Sequence, residues 1–104
     1  MQTNNKPGDD RLYGMALHML ILEVITKASQ EQKKVTSTQI TKAIIDEQKR
    51  LYNLDDLDFS NQKIHYLKHR VGVRLTYLTN NKIIERIPKI SKFKTTYYEY
   101  FKHV

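Results

Sequence analysis

A chain of 104 residues that is 39% hydrophobic and 28% charged, with 3 Gly and 2 Pro, has the composition of one globular domain. It is long enough for one core and too short for two domains with a catalytic cleft between them. Cysteine is absent, which excludes disulfides, thiolate chemistry and cysteine-ligated zinc or iron–sulfur centres. The 18 Lys plus Arg against 11 Asp plus Glu give a formal charge of +7, unevenly spread: residues 1–59 hold 8 basic and 9 acidic side chains, residues 60–104 hold 10 and 2. That asymmetry suggests a surface facing a polyanion, the plainer alternative being a lysine-rich face that only solvates the fold.

Residues 1–8, MQTNNKPG, read as a polar, mobile leader, and residues 9–104 as the domain. Asp9 or Asp10 can cap a first helix running to about Ala28. Its apolar positions cover most of the circumference, with Leu12, Met15, Ala16, Met19 and Leu22 beside Tyr13, Leu17, Leu20, Ile21, Val24 and Ala28. A helix apolar nearly all round is buried on more than one side. Tyr13, Leu17, Leu20, Ile21 and Val24 are therefore a candidate homodimer interface, the alternative being that the rest of the domain wraps them. The apolar run Met15 to Ile25 contains His18 and Glu23 and falls short of the ~20 residues of a membrane span, which points to a soluble, cytoplasmic protein without a membrane partner.

Val35 and Thr36 are enough for a short strand. Thr36 with Gln39 three residues on has the spacing of a capping box, which starts a second helix from Ser37 to about Tyr52. Its predicted stripe is Ile40, Ala43, Ile44, Glu47 and Leu51, with Glu47 as a charged interruption. After the acidic turn NLDDLD, Asp58 or Ser60 can cap a third helix. Ile64, Leu67, Val71, Leu75 and Leu78 are spaced 3, 4, 4, 3 and form one apolar stripe. The opposite face holds Gln62, His65, Tyr66, His69, Arg70, Val73, Thr76 and Tyr77, without an acid. Asn80 or Asn81 supplies a left-handed residue to end it.

Beyond Lys82 the period falls to 2. Ile83 to Ile87 and Thr95 to Lys102 read as two strands, joined by PKISKFK with Lys89, Lys92 and Lys94 at the tip and Pro88 limiting the ladder. Phe93 is expected to pack under this loop, its alternative being to stack on bases or wedge between them. Tyr97 and Tyr98 must point to opposite faces of their strand, so only one joins the core. The fold class is α+β, mostly α: three helices plus a C-terminal β-hairpin.

This order resembles the winged helix-turn-helix DNA-binding family, of the small prokaryotic, archaeal or viral regulator type, over roughly residues 10–102. The resemblance is carried by VTSTQITKAI, by VRLTYLTNNKIIERI at the junction of third helix and first wing strand, and by TTYYEYF closing the hairpin. It implies a third helix that enters the major groove and a hairpin that serves as a wing. The connection Asn53–Phe59 is longer than the three or four residues of the simplest helix-turn-helix, a length that winged members accommodate.

In helix-turn-helix proteins the N-terminal half of the reading helix meets base edges. Here that half offers Asn61, Gln62, His65, Tyr66 and His69 as base-reading candidates, with Lys63, Arg70 and Arg74 suited to phosphates. In the wing, Lys89, Lys92 and Lys94 suit phosphates or the minor groove, and Ser91 a neutral hydrogen bond. His65 and His69 have an i, i+4 spacing that two imidazoles on one metal require, but no carboxylate joins them and Lys63 and Arg70 would repel a cation, so phosphate or base contact is the better reading. Their protonation at mildly acidic pH would add charge beside phosphates and strengthen binding. No glycine-rich phosphate loop, H-E-x-x-H or nucleophile motif is present, so neither catalysis nor a cofactor is expected. The expectation is a transcriptional regulator or small chromatin-associated protein on double-stranded DNA, nucleoid-associated and homodimeric. The competing expectation is a winged helix that docks other proteins in a transcription or replication assembly.

Overall fold

The capping box at Thr36 ties together the helical and sheet layers. Thr36 Oγ1 accepts from the Gln39 backbone N–H at 3.2 Å, and Gln39 Oε1 accepts from the Thr36 N–H at 2.9 Å, so two donors at the helix start are satisfied reciprocally. Thr36 is also the last residue of a two-residue strand, so the turn into the helix is pinned to the sheet. In the computed structural model, which describes residues 13–103, the order is α1 Gly14–Gln30, β1 Val35–Thr36, α2 Ser37–Tyr52, a 3-10 turn Asp56–Asp58, α3 Asn61–Asn80, β2 Glu85–Ile90 and β3 Thr96–Phe101. The fold is α+β and mostly helical. Three helices stand with an antiparallel sheet of order β1-β3-β2, the layout of a winged helix-turn-helix. The expected leader and the Asp9 or Asp10 cap lie outside the described residues.

Helix α1 begins at Gly14, with Tyr13 extended as its N-cap and Gly14 at φ +54°, a left-handed value that glycine adopts without strain. Leu17, Leu20, Ile21 and Ile25 are buried in the chain's own core, at 0–4% exposure. This corrects the expected dimer interface. Leu17, Leu20 and Ile21 already have partners on α2, α3 and the sheet, and Val24 is half-buried along the groove between α1 and α2. Of the five, only Tyr13 is exposed.

The buried face of α2 is Ile40, Thr41, Ile44, Ile45 and Gln48. It is turned away from the expected stripe: Leu51 is exposed, Glu47 pairs with Arg50 at the surface, and Gln48 is fully buried in their place. Thr41 is satisfied by donating to the Ser37 carbonyl at 2.8 Å. The helix ends on Asn53 in the left-handed region, from which Leu54 and Phe59 fold back onto the core.

The stripe of α3 falls as its spacing requires, with Leu67, Val71, Leu75 and Leu78 buried and Ile64 half-buried. Its end differs from expectation. Lys82, not Asn80 or Asn81, takes the left-handed conformation (φ 59°), while Asn81 caps the helix with its side-chain amide, which donates to the Tyr77 carbonyl at 2.8 Å. Ile83 N–H then donates to Leu78 O at 2.9 Å, and Ile84 drops into the core at 2% exposure. The two isoleucines therefore close the helix, and the strand starts two residues later, at Glu85.

Strand β3 is central, pairing Val35 with Tyr100 on one side and Arg86 with Tyr100 on the other. Its alternation puts Tyr100 in the core and Tyr98 against it, while Tyr97 faces outward. Pro88 sits inside β2, opposite Tyr98, where its missing N–H is tolerated because β2 is an edge strand. The far end of β3 is fastened to α1 by the Lys102 N–H, which donates to Ser29 Oγ at 2.9 Å. Among the described residues no helix is long and apolar enough to cross a membrane.

Candidate nucleic-acid interface

The third helix is started by Ser60, whose Oγ accepts from the Lys63 N–H at 3.2 Å. In the two turns that follow, Asn61, Gln62, Lys63, His65, Tyr66, Lys68 and His69 are all exposed, and only Ile64 and Leu67 turn inward. All five base-reading candidates thus share an open surface. The 20 residues of α3 include four Lys or Arg and no acid. At 100° per residue, Lys63, Arg70 and Arg74 lie along one flank of the Gln62–His65–Tyr66–His69 face and Lys68 lies along the other. Lys68 is not among the cations expected to meet phosphates; it joins them as an exposed residue on the opposite flank.

Local contacts order this face. Gln62 Nε2 donates to Tyr66 Oη at 3.4 Å, and the His65 and Tyr66 rings lie 5.8 Å apart at 58°. The flank residues are held as well. Lys63 Nζ donates to the Asp58 carbonyl at 3.3 Å, the Arg70 guanidinium lies 4.2 Å from the centre of the Tyr13 ring, and that of Arg74 lies 5.5 Å from the Tyr77 ring. His18 of α1 meets Tyr77 edge-on at 6.3 Å. The start of α1 therefore touches the Arg70–Tyr77 flank, while the polar face of α3 stays open along its length, with Val73 and Tyr77 exposed beyond His69.

Acids stand close by, in the turn before α3, where their carboxylates accept hydrogen bonds from the turn itself or from Lys49. Asp55 accepts from the Leu57 N–H and Asp58 from the Asp55 N–H, at 2.9 and 3.0 Å. Asp56 accepts a hydrogen bond from Lys49 that holds its carboxyl below the usual carboxylate range and the ammonium above its own. Lys49 also lies 5.9 Å from the Phe59 ring, so the turn that aims α3 is fixed both by charge and by a buried aromatic.

The hairpin departs from expectation in three ways. Lys89 is not at the tip: it belongs to β2, opposite Tyr97, with its Nζ 4.0 Å from Glu99 Oε1. The ladder runs two residues past Pro88, so the tip is Lys92, Phe93 and Lys94. Ser91 is not free to bond a ligand. Its Oγ accepts from the N–H groups of Phe93 and Thr95 at 3.1 and 3.2 Å and lies 2.7 Å from Thr95 Oγ1. Phe93 does not pack under the loop; it is 77% exposed. Since Ser91 occupies the inside of the turn, no room is left there for a ring.

Other cations were not legible as a group. Lys82, Arg86, Lys102 and His103 line an open cleft of about 490 Å³ between the end of α3 and the base of the sheet, where Glu85 pairs with His103 and Arg86 stacks 4.1 Å from the Tyr98 ring. Among the described residues there is no group of three or more His, Asp or Glu placed to hold a metal. No protein family, curated protein or solved structure matches this chain. The functional reading therefore rests on the site itself.

Proposed function

We propose that this protein binds double-stranded DNA, with α3 in the major groove and the hairpin wing on phosphates or the minor groove, as a transcriptional regulator or small chromatin-associated protein of the nucleoid. One observation supports this above the others: α3 presents an acid-free open face of amide, imidazole and phenol groups with cations on both flanks. Such a face matches the needs of a groove, cations to position the helix on phosphates and polar tips to meet base edges. Gln62 keeps a second amide hydrogen and its carbonyl oxygen for adenine N7 and N6 while it donates to Tyr66. His65 and His69 can donate to base acceptors or phosphates.

Salt titration of duplex binding tests the proposal. With about 5 to 8 phosphate contacts, log K should fall against log salt with a slope of about −5 to −7. Absence of measurable binding at about 50 mM salt contradicts it. A second reading draws on the exposed Tyr66, Val73 and Tyr77, apolar groups on the same helix that suit a protein partner. Under that reading duplex binding is absent and those three side chains are covered in a complex.

A further inference from the structure

The distal half of the hairpin projects beyond the core. From Pro88 through Tyr97 every residue is exposed except Ser91, which is covered within its own turn. These ten residues include three lysines and no acid. Their apolar members are not sheltered: Ile90 is 74% exposed, and Phe93, at the apex, 77%.

The apex is also rigid. Ser91 N–H donates to Thr95 O and Lys94 N–H to Ser91 O, both at 2.9 Å, and Lys94 takes φ 62°, which makes a three-residue loop closed by a left-handed residue. The Ser91 hydroxyl bonds inside this loop hold it from below. Phe93 is therefore presented outward in a fixed frame between two cations, with Lys92 Nζ 5.2 Å from its ring. Little ordering is left to be done on binding.

We propose that Phe93 is a wedge that enters the minor groove and inserts between neighbouring base pairs, while Lys92 and Lys94 hold the phosphates on either side. This rests on the DNA-binding reading above and goes beyond it, because it assigns the wing a deformation of the duplex and not only a contact. Charge complementarity selects DNA as the occupant: a ring bracketed by lysines on an acid-free arm matches a groove walled by phosphates. Apolar wedges of this type unstack one step and kink the duplex toward the major groove. An anionic lipid surface shares the charge preference, but it leaves the ordered polar face of α3 without a role.

The test uses a short duplex with a fluorescent donor and acceptor at its ends. The intact chain should bend it by about 20–90°. Phe93→Ala should abolish the bend and weaken binding about tenfold or more while preserving the salt slope, since no phosphate contact is removed. Phe93→Leu should keep part of the bend. Lys92→Ala with Lys94→Ala should instead flatten the slope by about 2. If Phe93→Ala binds and bends the duplex as the parent does, the wedge is overturned and the DNA reading stands. If the parent does not bind duplex at all, both fall. Vesicles of anionic phospholipid provide the remaining arm: binding there that depends on Phe93, with duplex binding indifferent to it, overturns the wedge in favour of a lipid surface.

Discussion

Replacing Gln48 with methionine is expected to stabilise the fold by about 1–3 kcal/mol, the cost of keeping a neutral polar group buried without a partner. Gln48 is fully buried on α2, and neither its Nε2 nor its Oε1 has a hydrogen-bond partner among the described residues. Methionine is unbranched and close in volume, so it can follow the same path through the core without leaving a cavity. A domain of this size should gain about 4–8 °C in Tm for each kcal/mol. Gln48→Glu, which puts a charge where the amide was, should lower Tm steeply. A lower Tm for the methionine variant would mean that the amide contributes binding energy at this position, against the packing described for α2.

The second large effect concerns α3. His65→Glu combined with His69→Glu is expected to weaken duplex binding by at least about 100-fold, or about 2.7 kcal/mol, because two carboxylates would face phosphates from the centre of the open surface. Both histidines are exposed, and the better helix propensity of Glu offsets the mild repulsion between two carboxylates spaced i, i+4. Folding should therefore be unaffected. Thermal unfolding at the parent's Tm, alongside lost binding, separates a contact effect from a stability effect. Unchanged affinity would remove α3 from the interface.

Much of the fold was legible because it depends on local periodicity. The 3, 4, 4, 3 spacing from Ile64 to Leu78 fixed one face of α3 inward and so its polar face outward, and the Thr36–Gln39 pair marked the start of α2 to the residue. What the chain pattern did not reveal depends on tertiary partners. Gln48 is buried and Leu51 exposed because the core lies on the Ile40–Ile44–Gln48 side of α2, whereas polarity and spacing alone put Leu51 on the inner stripe. The dimer residues chosen on α1 illustrate the same limit: of an all-round apolar helix, the side with Leu17, Leu20 and Ile21 is taken by the chain's own core, while Met15 and Met19 on the other side are exposed.

In the candidate site, the base-reading face needed only helical geometry and was legible. The wing needed the turn. Nothing in PKISKFK announces that Pro88 can sit on an outer edge or that Ser91 turns its hydroxyl inward. Yet those two features lengthen the ladder, move Lys89 into the strand and raise Phe93 to the apex.

The most direct measurement is a titration of the ¹⁵N-labelled chain with a short duplex, followed residue by residue through its amide NMR signals. Binding through the reading helix and wing should perturb two separate stretches, 61–69 and 91–95, and leave the α1–α2 groove around Glu23, Lys27 and Glu47 unmoved. Perturbations confined to that groove, or none on α3 while binding is evident, would contradict the account.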